Sequence, residues 1–95
     1  MGRVVYVLVI HIPADGVQIF QRYESAVLAL LPDHHGRLDR RLRSEDQRTE
    51  VHLVTFPSVE HFESYRNDPR RAEQSHLLET SGARIELYDV ADVAD

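Results

Sequence analysis

From Arg3 to Ile12 the chain is almost continuously apolar and rich in β-branched residues, the pattern of a strand covered on both faces. Val5, Val7 and Val9 fall on one side of it and Tyr6, Leu8, Ile10 and Ile12 on the other, so neither side suits water. Pro13 ends the run. A helical period follows, with Phe20, Tyr23, Val27, Leu30 and Leu31 on one apolar stripe and Gln21, Arg22 and Glu24 elsewhere. Asp15 is placed to cap this helix, with Gln18 completing an imperfect capping box, and Pro32 and Gly36 close it after Leu31. Arg37 to Ser44 alternates poorly, Leu38 and Leu42 against Asp39, Arg41 and Arg43, as in a short charged edge strand. Beyond a polar turn at Glu45, Asp46 and Gln47, the stretch from Thr49 to Phe56 resumes strand character and makes a hairpin with it. Pro57 and Ser58 start a second helix at Val59, with Phe62 and Tyr65 facing inward. Asn67, Asp68 and Pro69 interrupt it, Asp68 capping the restart and Pro69 taking its first position. The restarted helix ends near Gly82, and Arg84 to Val90 is the last strand, Ile85 and Leu87 alternating with Glu86 and Tyr88.

The element order is therefore βαββαβ. A helix that joins two strands returns them in parallel, and the hairpin makes the second and third strands antiparallel. The compact solution is an α+β, ferredoxin-like domain over residues 1–95: a four-stranded antiparallel sheet in the order 4-1-3-2 with both helices on one face. The other face is left bare although the first strand is apolar there, which predicts a second copy of the chain as its cover and hence a homodimer. Length points the same way. A chain of 95 residues has room for one hydrophobic core, and with no cysteine it has no disulfide to supplement that core.

Composition narrows the partners. With 42% hydrophobic and 28% charged residues the chain reads as an ordinary globular protein. A net charge of −5 disfavours phosphate backbones and anionic lipid, and the longest apolar run is too short to span a bilayer, so neither nucleic acid nor membrane is expected as a partner. The absence of cysteine fits a reducing, cytoplasmic setting. There is no Gly-rich phosphate loop, no cysteine and no Gly-x-Ser-x-Gly nucleophile, so no cofactor is expected and a nucleotide-dependent or covalent mechanism has little support.

Three stretches, in this order and spacing, resemble the dimeric α/β-barrel superfamily. Tyr6 to Asp15 is similar to its first strand, which begins near a tyrosine and ends at an aspartate before the helix. His35-Gly36-Arg37 is similar to its helix-to-strand turn. Phe56-Pro57-Ser58-Val59-Glu60, followed by Asn67-Asp68-Pro69, is similar to its strand, Phe-Pro-Ser, helix and kink. The nearest likeness is to a bacterial family of unknown function related to the antibiotic-biosynthesis monooxygenases. Relatives often carry tryptophan in the second helix; here Tyr65 stands at about that place. The resemblance implies a scaffold used by cofactor-free oxygenases, haem-degrading enzymes and isomerases, and by proteins with no known activity.

Six histidines are unusual for this length. Antiparallel pairing of the first and third strands is expected to bring His11 near His52, with histidine as a general base. The last turns of the second helix would return His76 to the same edge, so His11, His52 and His76 form an alternative metal trio, although no ligand spacing such as His-Glu-x-x-His supports it and no metal is expected. The plainer reading leaves these histidines bonded to backbone or exposed. Arg37, Arg40, Arg41, Arg43 and Arg48 gather positive charge on the hairpin, and Arg40 shares parity with Leu38 and Leu42, aiming it inward as an anion partner. Otherwise these arginines are a solvated edge. Tyr6, Tyr65 and Tyr88 would line a cavity or simply fill the core. The expected function is binding of a small apolar or aromatic compound in such a cavity, with cofactor-independent monooxygenase or isomerase chemistry. The alternative is a non-catalytic binding or assembly module.

Overall fold

The computed structural model describes residues 2–94. Strands β1 (Val4–His11), β2 (Arg37–Arg43), β3 (Thr49–Phe56) and β4 (Arg84–Val90) form one antiparallel sheet in the order β2-β3-β1-β4, the 4-1-3-2 arrangement expected. Helix α1 (Val17–Leu28) joins β1 to β2, and the helical segments α2 (Val59–Arg66), α3 (Pro69–Ala72) and α4 (Ser75–Ser81) join β3 to β4. All the helices lie on one face of the sheet. Side-chain alternation on β1 sends Tyr6, Leu8 and Ile10 to that inner face, and the register opposes them to Val54, His52 and Glu50 of β3.

Local chemistry explains most boundaries. Ser58 caps α2 by accepting from the His61 N–H, and Asp68 caps α3 by accepting from the Arg70 N–H, with Pro69 at the first helical position. Gly82 closes α4 in the left-handed conformation at φ 72°, where only glycine is free of strain. Asp15 does not cap α1. It sits in a 3-10 turn over Ala14–Gly16 that the Gly16 N–H closes onto the Pro13 carbonyl, and the helix begins after it. The reason is packing: a Cβ on Gly16 would lie 2.0 Å from the Ser81 carbonyl oxygen, so the turn lets the start of α1 touch the end of α4. Helix α1 also stops at Leu28 rather than Leu31, because Pro32 sets a second 3-10 turn over Leu31–His34.

The apolar core falls into two groups on the inner face. Tyr6, Leu31, Val54, Phe56, Phe62 and Tyr65 form one; Ile10, Ile12, Phe20, Tyr23 and Val27 form the other, and Leu8 packs against both. Burying a ring such as Phe20 contributes roughly 2–3 kcal/mol relative to leaving it in water. Among the described residues no element covers the outer face. Val5, Val7, Val9, Val51 and Leu53 are only half-buried there, and Leu42 and Tyr88 are 47% and 48% exposed. Among the described residues no helix is long and apolar enough to cross a membrane.

Candidate functional site

Between the inner face of the sheet and the helices lies a cleft of about 280 Å³. Its walls are mainly aromatic and aliphatic, with Tyr6, Phe20, Phe62 and Tyr65 prominent. Tyr6 stacks on Phe62 with centroids 4.0 Å apart, and Phe56 sits between Phe62 and Tyr65 at 5.5 and 5.6 Å. The Tyr65 hydroxyl donates to the Val27 carbonyl at 3.1 Å, and burial pushes its pKa up to about 12. Burial likewise raises the Tyr6 phenol.

Glu24 and His52 make one part of the wall charged, and Glu50 lies against His52 outside the lining. Glu50 of β3, Glu24 of α1 and His52 of β3 are 0%, 1% and 3% exposed. His52 Nε2 lies 2.9 Å from Glu50 Oε1, and Glu24 Oε2 is 3.1 Å from the same nitrogen. Arg43 Nε donates to Glu50 Oε2 at 2.9 Å, and Arg41 donates to Glu24 Oε1 from Nη2 and to Glu50 Oε1 from Nε. Two buried carboxyls are thus met by two guanidiniums and an imidazole, the arrangement that makes burial of charge tolerable. Burial opposes ionisation of Glu50, but its contacts with Glu24, His52 and Arg43 outweigh burial and hold the carboxyl at about 2. Burial also opposes the charged form of His52, and its contacts with Glu24 and Glu50 again outweigh it, so the imidazole pKa rises. The two carboxyls thus favour the charged, hydrogen-bond-donating form of His52 over a free base.

Several expectations need correction. His11 and His52 lie on opposite faces, because His11 shares the parity of Val9 and faces Thr49, whereas His52 faces Leu8. On the outer face His11 Nε2 meets Glu86 Oε1 at 3.0 Å. His76 is exposed on α4, so His11, His52 and His76 are not brought together. Arg40 does not point inward. The register of β2 against β3 shifts between Leu38 and Arg40, which turns Arg40 to the outer face opposite Leu53 and sends Arg41 and Arg43 inward opposite His52 and Glu50. Tyr6 and Tyr65 line the cleft, while Tyr88 lies across from Val7 on the outer face.

Glu24, expected away from the apolar stripe of α1, is instead buried within it. A signal existed: Glu24 stands four positions after Phe20 and three before Val27, within the buried stripe, and a carboxyl there requires a buried cationic partner. Glu24, Glu50 and His52 offer ligand atoms within 4.8 Å of one another, the one such group of three among the described residues. Arg41 and Arg43 already neutralise both carboxyls, so a divalent cation would have to displace two guanidiniums. The triad fits a salt-bridged network better than a metal.

The sheet order and the helices on one face define a ferredoxin-like α+β fold. No family model matches the sequence, and no curated protein matches it. Solved structures do match, at the level of fold. The chain is similar to SnoaB, a cofactor-independent oxygenase from Streptomyces nogalater, with 18% identity, a TM-score of 0.65, and coverage of 98% of this chain and 97% of that one. It is similar to a dimeric ferredoxin-like protein of unknown function from Jannaschia, at 16% identity and TM-score 0.72, covering 96% and 100%. A candidate antibiotic biosynthesis monooxygenase from Caulobacter crescentus shares 11% identity at TM-score 0.74, covering 96% and 92%.

Proposed function

We propose that the chain binds a small, flat, largely apolar compound between its sheet and helices and acts on it as a cofactor-independent oxygenase or isomerase. The observation that carries this reading is the cleft of about 280 Å³, apolar over most of its wall, aromatic in part, and joined at one place by Glu24 and His52. Chemistry of this class begins with removal of an acidic O–H or C–H proton, which needs a positioned acceptor in water-poor surroundings. In this reading the Glu24 carboxylate is the acceptor, and the His52 imidazole 3.1 Å from its Oε2 helps to stabilise the anion that forms. SnoaB supports the reaction class through the shared fold alone.

The working unit in this proposal is a homodimer that buries the valine-rich outer face of β1, as the dimeric Jannaschia protein of the same fold suggests. The net charge of −5 favours a small-molecule partner over nucleic acid, and the cysteine-free sequence favours the cytoplasm. One observation favours a second reading, a non-catalytic binding module: the His52 imidazole is already engaged by Glu50.

A thermal-shift screen of hydroxylated bicyclic and tricyclic aromatics, followed by oxygen-uptake and product assays on the hits, decides between them. The enzyme reading expects stabilisation by ligand and turnover that Glu24→Gln lowers at least a hundredfold. Binding without turnover of any hit would establish the module instead, and a screen with no hit would remove the cleft as a binding site.

A further inference from the structure

Away from the cleft, one cluster lines up a hydroxyl, an imidazole and a carboxylate. His34 ends the 3-10 turn over Leu31–His34, and Ser64 and Asp68 stand four positions apart where α2 gives way to α3. His34 Nδ1 lies 2.9 Å from Ser64 Oγ, and His34 Nε2 lies 2.7 Å from Asp68 Oδ2. Ser64 is exposed, whereas the His34 and Asp68 side chains are only 13% and 6% exposed. None of the three lines the cleft.

The partners fix the role of each atom. Arg70 donates to Asp68 from its side chain and its backbone N–H, and these bonds, with the one from His34, hold the carboxyl well below the usual carboxylate range. An ionised carboxylate only accepts, so His34 Nε2 carries the proton that joins the two. In the neutral ring Nδ1 then turns its lone pair to the Ser64 hydroxyl, and Tyr65 braces the imidazole edge-to-face with centroids 5.9 Å apart. Orienter, base and nucleophile follow in order, the logic of a Ser-His-Asp triad with the two ring nitrogens exchanged. A purely structural tie has no need of Ser64, because water satisfies an exposed hydroxyl at little cost. Ser58 provides the contrast. Its oxygen, 2.7 Å from His61 Nδ1, is already engaged as the α2 cap, and no carboxylate among the described residues bonds His61.

We propose that Ser64 is an activated nucleophile that takes acyl groups from small activated esters or thioesters, at a site independent of the cleft. Ser64 Oγ attacks the acyl carbon as His34 Nδ1 takes the hydroxyl proton; the bond to the leaving alcohol or thiol breaks, and that group departs with the proton. Water, activated in turn by His34, cleaves the acyl-serine to the free acid and restores the hydroxyl. Ser64 lies inside α2, so its own N–H is spent in the helix rather than on an oxyanion. Lack of such a donor costs about 10²–10³ in rate, which confines the reaction to substrates with good leaving groups. His34 is the base in this step and Asp68 is its positioning residue.

A fluorophosphonate probe on the full chain tests this: phosphorus bonds to serine with loss of fluoride and a proton, and peptide mass spectrometry locates the label. Ser64 is expected to react about tenfold faster or more than the exposed Ser44 and Ser75, whose hydroxyls donate to the Asp46 carboxyl and the Ala72 carbonyl instead of an imidazole. His34→Gln should slow Ser64 labelling by about a hundredfold, with the helical signal in circular dichroism unchanged. Asp68→Asn keeps a capping side chain for α3 and should slow labelling by about tenfold or more. Nitrogen-15 shifts of the His34 ring at about pH 8 should show the Nε2–H tautomer in the unaltered protein and its loss in Asp68→Asn. With 4-nitrophenyl acetate, an acetyl group should appear on Ser64, and Ser64→Ala should remove most of the turnover. Label spread evenly over Ser44, Ser64 and Ser75, or absent from Ser64, overturns the proposal without recourse to any variant. Labelling of Ser64 that is unaffected by His34→Gln overturns it as well.

Discussion

Replacing Glu50 by glutamine isolates the charged network, because Glu50 is fully buried and touches His52, Arg41 and Arg43. A carboxyl held at about 2 instead of 4.5 is stabilised in the folded state by ~3 kcal/mol above both values. Arg41 and Arg43 have side chains 38% and 37% exposed, so solvent screening reduces this to ~2 kcal/mol. In a domain of this size that lowers Tm by about 10 °C. The sign with pH follows from the direction of the shift. Glu50 is depressed, so its contribution is present above 4.5 and fades as pH falls toward 2. His52 is raised, so its contribution is present below 6.5 and is lost as pH climbs through the folded value. The network therefore stabilises most between 4.5 and 6.5. Thermal melts followed by circular dichroism at one fixed protein concentration, for the unaltered protein and Glu50→Gln at about pH 6 and pH 3, should show the gap between them narrowing by ~1 kcal/mol or more at the acid end. A gap below ~0.5 kcal/mol at pH 6, or one that does not change with pH, would refute a stabilising ionised network.

Three further outcomes are expected. Gly16→Ala places a methyl against the Ser81 backbone oxygen and should destabilise by ~2 kcal/mol or more in urea unfolding; a neutral result would mean that α1 and α4 separate easily. Tyr65→Phe removes the donor to the Val27 carbonyl and should cost about 1 kcal/mol with little change in ring packing, measured by the same unfolding curves. Leu53→Lys on the outer face should shift sedimentation from dimer to monomer at micromolar concentration without loss of helical signal. A monomeric unaltered chain would contradict the dimer proposed above.

Legibility in the sequence followed the range of the interactions. Caps at Ser58 and Asp68, the break at Pro69 and the two-sided apolar pattern of β1 depend on residues a few positions apart, and they led directly to the sheet order. Arg40 was misplaced because strand parity assumes an unbroken ladder, and one irregular residue between Leu38 and Arg40 reverses every side chain beyond it. Asp15 was misplaced because its turn is dictated by the distant Ser81 backbone.

By itself, then, the sequence determined the element order, the ferredoxin-like topology and an outer face too apolar for water, since these rest on periodicity and short-range capping. Tertiary structure alone decided that His52 and His11 part company, that Arg41 and Arg43 rather than Arg40 turn inward, and that Glu24 joins Glu50 beneath them. The physical reason is that burial of a charge is settled by which opposite charges arrive beside it. Those partners come from α1, β2 and β3, up to 28 residues apart in the chain, as Glu24 and His52 are.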